Sequence, residues 1–152
     1  MTSPRLRVAG QVIRYRSVPE LLVFDHAGMP EAGTQVPAGG IAPGEEREAA
    51  VLREVAEETG PLTAPVVREI AVEDGPHPHT GAPRRTAFFR LRAPAGTPDA
   101  WEHRVRGAGT DAGLVVACRF LPLPLEHPLA DDQDVWLDRI GARLTTRTRR
   151  LR

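Results

Sequence analysis

Between Arg5 and Tyr15, apolar Leu6, Val8 and Val12 recur at every second position or a multiple of it, the alternation of a half-buried strand. The compact apolar run Glu20 to Phe24 predicts a second strand, and Asp25 to Gly28 predicts a turn. A Gly- and Pro-punctuated loop follows from Gly33 to Gly44, with a short strand expected at Gln35 to Pro37. The period then changes to that of a helix. From Glu45 to Thr59, Ala49, Leu52, Val55, Ala56 and Thr59 fall on one face at steps of three and four, which predicts an amphipathic helix with that stripe turned to the core. Acidic residues crowd its first turn, where the helix dipole favours them, and Gly60 with Pro61 ends it. Strand-like runs follow at Ala64 to Val72, Arg85 to Leu91, Trp101 to Val105 and Leu114 to Leu123, separated by loops at Glu73 to Pro83 and Pro94 to Asp99. A second helix is expected over Asp132 to Leu144.

Composition narrows the class. The chain has 152 residues, 41% of them hydrophobic, which suits one domain over residues 1–145 with a core of its own. Twenty basic residues, all arginine, balance twenty acidic ones, so no global field draws the protein to nucleic acid or an anionic membrane. No apolar stretch approaches the roughly 20 residues a membrane span needs, and the N-terminus has no signal-peptide core, so the expectation is a cytoplasmic protein. The lone Cys118 sits in an apolar run and reads as a buried structural thiol. The Arg-rich stretch 146–152 reads as a flexible, solvated tail.

Chemistry concentrates on the first helix. Glu54, Glu57 and Glu58 stand three and four apart and share a face, an unfavourable grouping of like charge unless a cation neutralises it. Arg53 can relieve part of this through Glu57, but it cannot serve all three. Hard oxygen ligands carrying that much charge suit Mg²⁺ or Mn²⁺ shared with substrate phosphates. Just before the helix, Pro37 to Gly44 carries glycines where backbone must approach another group closely, so a loop carbonyl could join the metal shell. A phosphate cradle of the P-loop kind is disfavoured, because the helix opens with acid instead of Gly-Lys-Ser/Thr.

These residues resemble a known family. Gly39 to Pro61 reads as the Nudix box, G-x5-E-x7-R-E-U-x-E-E-x-G-U, with Gly39, Glu45, Arg53, Glu54, Val55, Glu57, Glu58 and Gly60 in register and Pro61 the one departure. Seven fixed residue types at these spacings arise by chance at a given start with a probability on the order of 10⁻⁸ to 10⁻⁷ from average usage. The resemblance implies an α/β (α+β) fold, the Nudix α/β/α sandwich with a mixed sheet. It also implies metal-assisted attack of water on phosphorus, cleaving a phosphoanhydride in a nucleoside diphosphate linked to another group. By that resemblance Glu57 and Glu58 would be the principal metal ligands. Glu54 would be a further ligand or the base that activates water, and Gly39 would offer its carbonyl. Glu45 and Arg53 would form the ion pair tying loop to helix. The partner would be a small nucleoside diphosphate derivative, and the family allows a homodimer. A catalytically weak Nudix-fold module that only binds nucleotide is the alternative.

Outside the box, Glu73, Asp74, Glu102 and Asp111 are candidates for an assisting carboxylate, and Arg84 or Arg85 for a phosphate clasp. Trp101, Phe88 and Phe89 read first as core and second as base-stacking residues. His77 and His79 lack a third partner for a metal site, and the substrate is not named by any motif.

Overall fold

The structure, a computed structural model, describes residues 3–60 and 62–149. Pro61, the departure from the box pattern, lies outside the described residues. The strands are β1 (Arg5–Tyr15), β2 (Pro19–His26), β3 (Ala38–Gly40), β4 (Val66–Pro76), β5 (Pro83–Arg92), β6 (Ala100–Arg104) and β7 (Val115–Pro122), and the α-helix is α1 (Arg47–Thr59). They form one mixed sheet in the order β4-β5-β1-β2-β7-β6, parallel only between β1 and β5, with β3 paired to β1. β1 meets β2 over Ile13 to Tyr15 and β3 over Arg7 to Ala9. The gap between the diverging strands is where the Gly-rich loop enters the sheet.

Alternation along the strands supplies two cores. Val8, Val12, Leu22, Phe24, Phe89 and Leu91 pack with Val51 and Val55 of α1. Gly10 lets the helix lie this close, since a Cβ there would sit 3.3 Å from both Val51 and Val55 side chains. On the other face Ala9, Ile13, Leu21, Val23 and Phe88 pack against Leu123, Leu125, Leu129 and Leu137. The expected three layers are present.

Three expectations need correction. The second outer layer is a string of single 3₁₀ turns, Ala130–Asp132, Leu137–Arg139, Ala142–Leu144 and Arg147–Arg149, where a helix over Asp132 to Leu144 was predicted. Asp131 and Asp132 adopt left-handed φ of 54° and 50°, and the Asp134 carboxylate bonds to Leu129 N–H, so side chains take over what a helical ladder would supply. The tail is packed as far as it is described. Thr146 is fully buried, and both its hydroxyl and the Arg149 guanidinium donate to Asp134. Finally, β4 runs on to Pro76, so Glu73 to Pro76 belong to a strand pairing with β5 and only the hairpin tip remains a loop. Among the described residues no helix is long and apolar enough to cross a membrane.

Candidate active site

Helix α1 turns a different face inward from the predicted one. Ala50, Val51, Glu54, Val55, Glu58 and Thr59 are buried, whereas Leu52 is 44% exposed. Ala49 and Ala56 are exposed as well. The acids therefore stand beside the apolar contact, at the rim of the core. Tertiary packing explains the rotation: Gly10 accepts Val51 and Val55, and the next positions on that side are Glu54 and Glu58.

Strand β3 passes directly in front of them. A Cβ on Gly39 would lie 2.3 Å from the Glu54 carboxyl carbon, so any larger residue here must displace that carboxyl. Ala38 N–H donates to Glu58 Oε1 at 3.1 Å. Arg53 grips Glu45 with a two-point fork, Nε and Nη2 at 2.8 and 2.9 Å, and Nη2 also donates to the Gly40 carbonyl at 2.8 Å. Its Nη1 reaches Glu54 at 2.9 Å and Glu57 at 3.2 Å. Hydrogen bonds from Arg53 and from Ala42 N–H hold the Glu45 carboxyl down at about 2. Glu58 moves the other way. Burial, then the neighbouring Glu54 carboxyl, raises it well above the ordinary carboxylate range. The two carboxyls thus lie close enough to act on each other inside the rim of the core.

The loop after β6 closes over this face. Arg106 N–H and His103 Nε2 both bond to the Glu57 carbonyl, at 2.9 and 3.0 Å. Gly107, at φ 96°, lies so close that a Cβ would meet the Glu57 carboxylate at 2.5 Å. Asp111 follows on the same loop, with the buried His26 4.0 Å away. Together these elements line a cleft of about 800 Å³ holding Glu54, Glu57, Glu58 and Asp111, together with Arg5, Arg7 and Arg84.

A family model of the NUDIX domain matches residues 5–140. The chain belongs to the Nudix family. Solved structures agree on the fold. The NUDIX domain of Shewanella oneidensis NrtR, crystallised with ADP ribose, has a TM-score of 0.66 at 18% identity over 95% of this chain and 91% of that one. A MutT NUDIX hydrolase from Burkholderia pseudomallei has a TM-score of 0.63 at 22% identity, over 92% and 100%. The Caenorhabditis elegans Ap4A hydrolase has a TM-score of 0.55 at 16%, over 99% and 100%. No curated protein matches the sequence.

The described part of the Nudix box thus forms one contact network, with Glu45, Arg53, Glu54, Glu57, Glu58 and Gly39 brought together. Arg53 serves both Glu54 and Glu57, one carboxylate more than the sequence suggested. Among the described residues no three His, Cys, Asp or Glu side chains stand ready to hold one ion. The donor set still fits a hard divalent cation: neighbouring carboxylate oxygens on one helix and a glycine backbone pressed against Glu54.

Of the four assisting candidates, the cleft takes in Asp111 alone. Glu73 accepts from Trp136 Nε1, Asp74 pairs with Arg85 at 2.7 Å, and Glu102 is exposed outside the cleft. Arg84 lines the cleft and Arg85 does not. Trp101 Nε1 donates to the Thr59 carbonyl at the end of α1, while Phe88 and Phe89 fill the two cores, so none of the three is offered to a base. His77 Nδ1 accepts from the N–H groups of His79 and Thr80, which makes it the clasp of the hairpin tip. Cys118 is buried, and burial followed by the charge of Glu58 pushes its thiol up to about 12. Sequence reasoning missed Arg5 and Arg7; their alternation on β1 was the available signal.

Proposed function

We propose that this Nudix protein is a Mg²⁺- or Mn²⁺-dependent pyrophosphohydrolase that cleaves a phosphoanhydride in a nucleoside diphosphate linked to a second group. One observation carries the reading: a single cleft around the glycines of β3 is lined both by the box carboxylates and by arginines, among them Arg5 and Arg7. A diphosphate needs both a cation that the acids hold and direct guanidinium contacts.

Glu57 and Glu58, with the Gly39 carbonyl, would bind the cation. A cation so held would neutralise diphosphate charge and act as a Lewis acid at phosphorus. Glu54, 8% exposed and pressed against Gly39, would take the proton of attacking water or complete the ligand set. Arg53 keeps Glu45, the Gly40 carbonyl and the helix in one register, so the acids are positioned before substrate arrives. Asp111 is the assisting carboxylate outside the box, supported by its place in the cleft and its influence on Glu58.

The test is release of phosphate or nucleotide from a panel of nucleoside triphosphates, dinucleoside polyphosphates, nucleotide sugars, ADP-ribose and NADH, comparing wild type with Glu57→Gln. Metal-dependent turnover that collapses in the variant supports the hydrolase. A nucleotide-binding module without turnover is the second reading, and the ion pairs Arg53 makes with Glu54 and Glu57 favour it, since they occupy would-be ligands. Silence across the panel with nucleotide binding retained would establish that module instead.

A further inference from the structure

The basic wall of the cleft holds more positive charge than its own surroundings satisfy. Arg5 and Arg7 alternate on β1 and so project from the same face. Arg84 is the direct partner of Arg5 in the parallel β1–β5 pair, which puts it on that face on the adjoining strand. All three line the cleft that holds the box carboxylates. Among the described residues, no carboxylate stands at ion-pair distance from Arg5 or Arg7. Arg84 alone has one, Asp131. Burial and then the charge of Arg84 lower the pKa of Arg7, and the charges of Asp131 and Glu58 offset this only in part.

Asp131 is itself held in a disfavoured conformation. It sits at φ 54° and ψ 32° and is followed by Asp132 at φ 50°, two successive non-glycine residues in the left-handed region. Its carboxylate makes one contact of note, with Arg84, so it occupies a guanidinium as a phosphate oxygen would. Strand β3 lies between the acids and Arg5: a Cβ on Gly39 would touch Glu54, and one on the next residue, Gly40, which points to the opposite face, would lie 2.8 Å from Arg5 Nη2.

We propose that Arg5, Arg7 and Arg84 are a receptor for a second anionic group of the substrate, a terminal phosphoryl joined to the diphosphate, with Asp131 as the internal occupant that this group displaces from Arg84. The inference rests on the hydrolase reading of the same cleft and selects within it. Substrates whose distal group is charged are preferred over those ending in a neutral sugar. Arg5 and Arg7 determine that specificity by direct contact, and Asp131 sets how tightly the group is held.

Calorimetry in EDTA separates this from catalysis. The probes are ATP against ADP-glucose and UTP against UDP-glucose, titrated into wild type, Arg7→Ala, Arg5→Ala, Asp131→Asn and Glu57→Gln. In at least one pair the triphosphate is expected to bind tenfold or more tightly than the sugar. Arg7→Ala or Arg5→Ala should erase that preference while leaving sugar binding within about twofold. Asp131→Asn, at a partly exposed turn, should tighten the triphosphate severalfold and serves as the decisive variant should Arg7→Ala not fold. Glu57→Gln should keep the preference. Equal affinities in both pairs for wild type, or a preference that survives both arginine substitutions, would overturn the receptor. Preference without metal-dependent turnover would uphold it and overturn the hydrolase; turnover without preference would do the reverse.

Discussion

Gly39 and Glu54 are fitted to each other: the space a Cβ would need on the glycine is filled by the carboxyl group, 2.3 Å from its ideal position. The contact lies between a strand that joins the sheet and a helix that packs on it, so the carboxylate is aimed by the fold and not by its own rotamer freedom. Gly39→Ala must push Glu54 aside. We expect it to fold, with turnover reduced about a hundredfold, the order of loss that small misplacements at a reacting centre produce. Gly75→Ala, at a strand position with open space around it, is the control and should leave kcat/KM unchanged. Steady-state kinetics on both variants, with melting curves to confirm folding, checks the contrast.

Arg53 is the hub that joins loop, strand and helix. Lysine in its place keeps the charge but loses the planar fork that meets both oxygens of Glu45 while reaching the Gly40 carbonyl. Arg53→Lys should lower kcat by about ten- to a hundredfold with a smaller change in KM, since it disturbs positioning more than substrate contact. A rise in KM with kcat preserved would assign Arg53 to substrate binding instead.

On the proposed function, the clustered carboxylates should make the folded state a better cation binder than the unfolded chain. At a Mg²⁺ concentration about 100 times its Kd, binding adds roughly 2.7 kcal/mol, which for a chain of this size raises Tm by about 5–10 °C. Differential scanning fluorimetry across a Mg²⁺ series should show this rise in wild type and lose most of it in Glu57→Gln. An equal shift in both proteins would remove Glu57 from the ligand set.

Acid stability depends on Asp134 at the far side of the molecule. Burial opposes its ionisation, but hydrogen bonds from Arg149, Thr146 and Leu129 N–H outweigh burial and leave its pKa below the ordinary value. A depressed carboxyl contributes stability above its unfolded pKa, near 3.9, and loses that contribution as pH falls through the lower folded value. Asp134→Asn should therefore cost about 2 kcal/mol at neutral pH, the scale of hydrogen bonds to a charged group. Denaturant melts should show that difference constant above about pH 5 and shrinking below about pH 4. A difference that grew in acid would contradict the assignment.

Several elements were legible in the chain because local periodicity encodes them. β1 was predicted over the residues it occupies, the helix to within two residues of its start and on its final residue, and the box acids as one group. Their spacing is a property of the backbone helix, so no knowledge of the fold was required to gather them. The inward face of α1 was misread, because Leu52 and Ala56 look as apolar as Val51 and Val55 until Gly10 shows which side can approach the sheet. The C-terminal segment was misread for a similar reason. Its apolar residues recur at helix-like intervals, yet Asp131, Asp132 and Asp134 commit the backbone to turns through contacts with Arg84 and Arg149 that are distant in sequence.

The sequence by itself determined the family, the acidic helix and the glycine that must face it, since each is written in residues close enough along the chain for spacing to carry the information. Tertiary structure alone decided that Asp111, not Glu73, Asp74 or Glu102, joins the cleft, and that Arg5, Arg7 and Arg84 line it as well. Those side chains come from β1, β5 and the loop after β6, and they meet because parallel pairing and loop closure bring together positions up to about a hundred residues apart. Contacts between remote segments are set by the register of strands and the packing of layers, which no local pattern records.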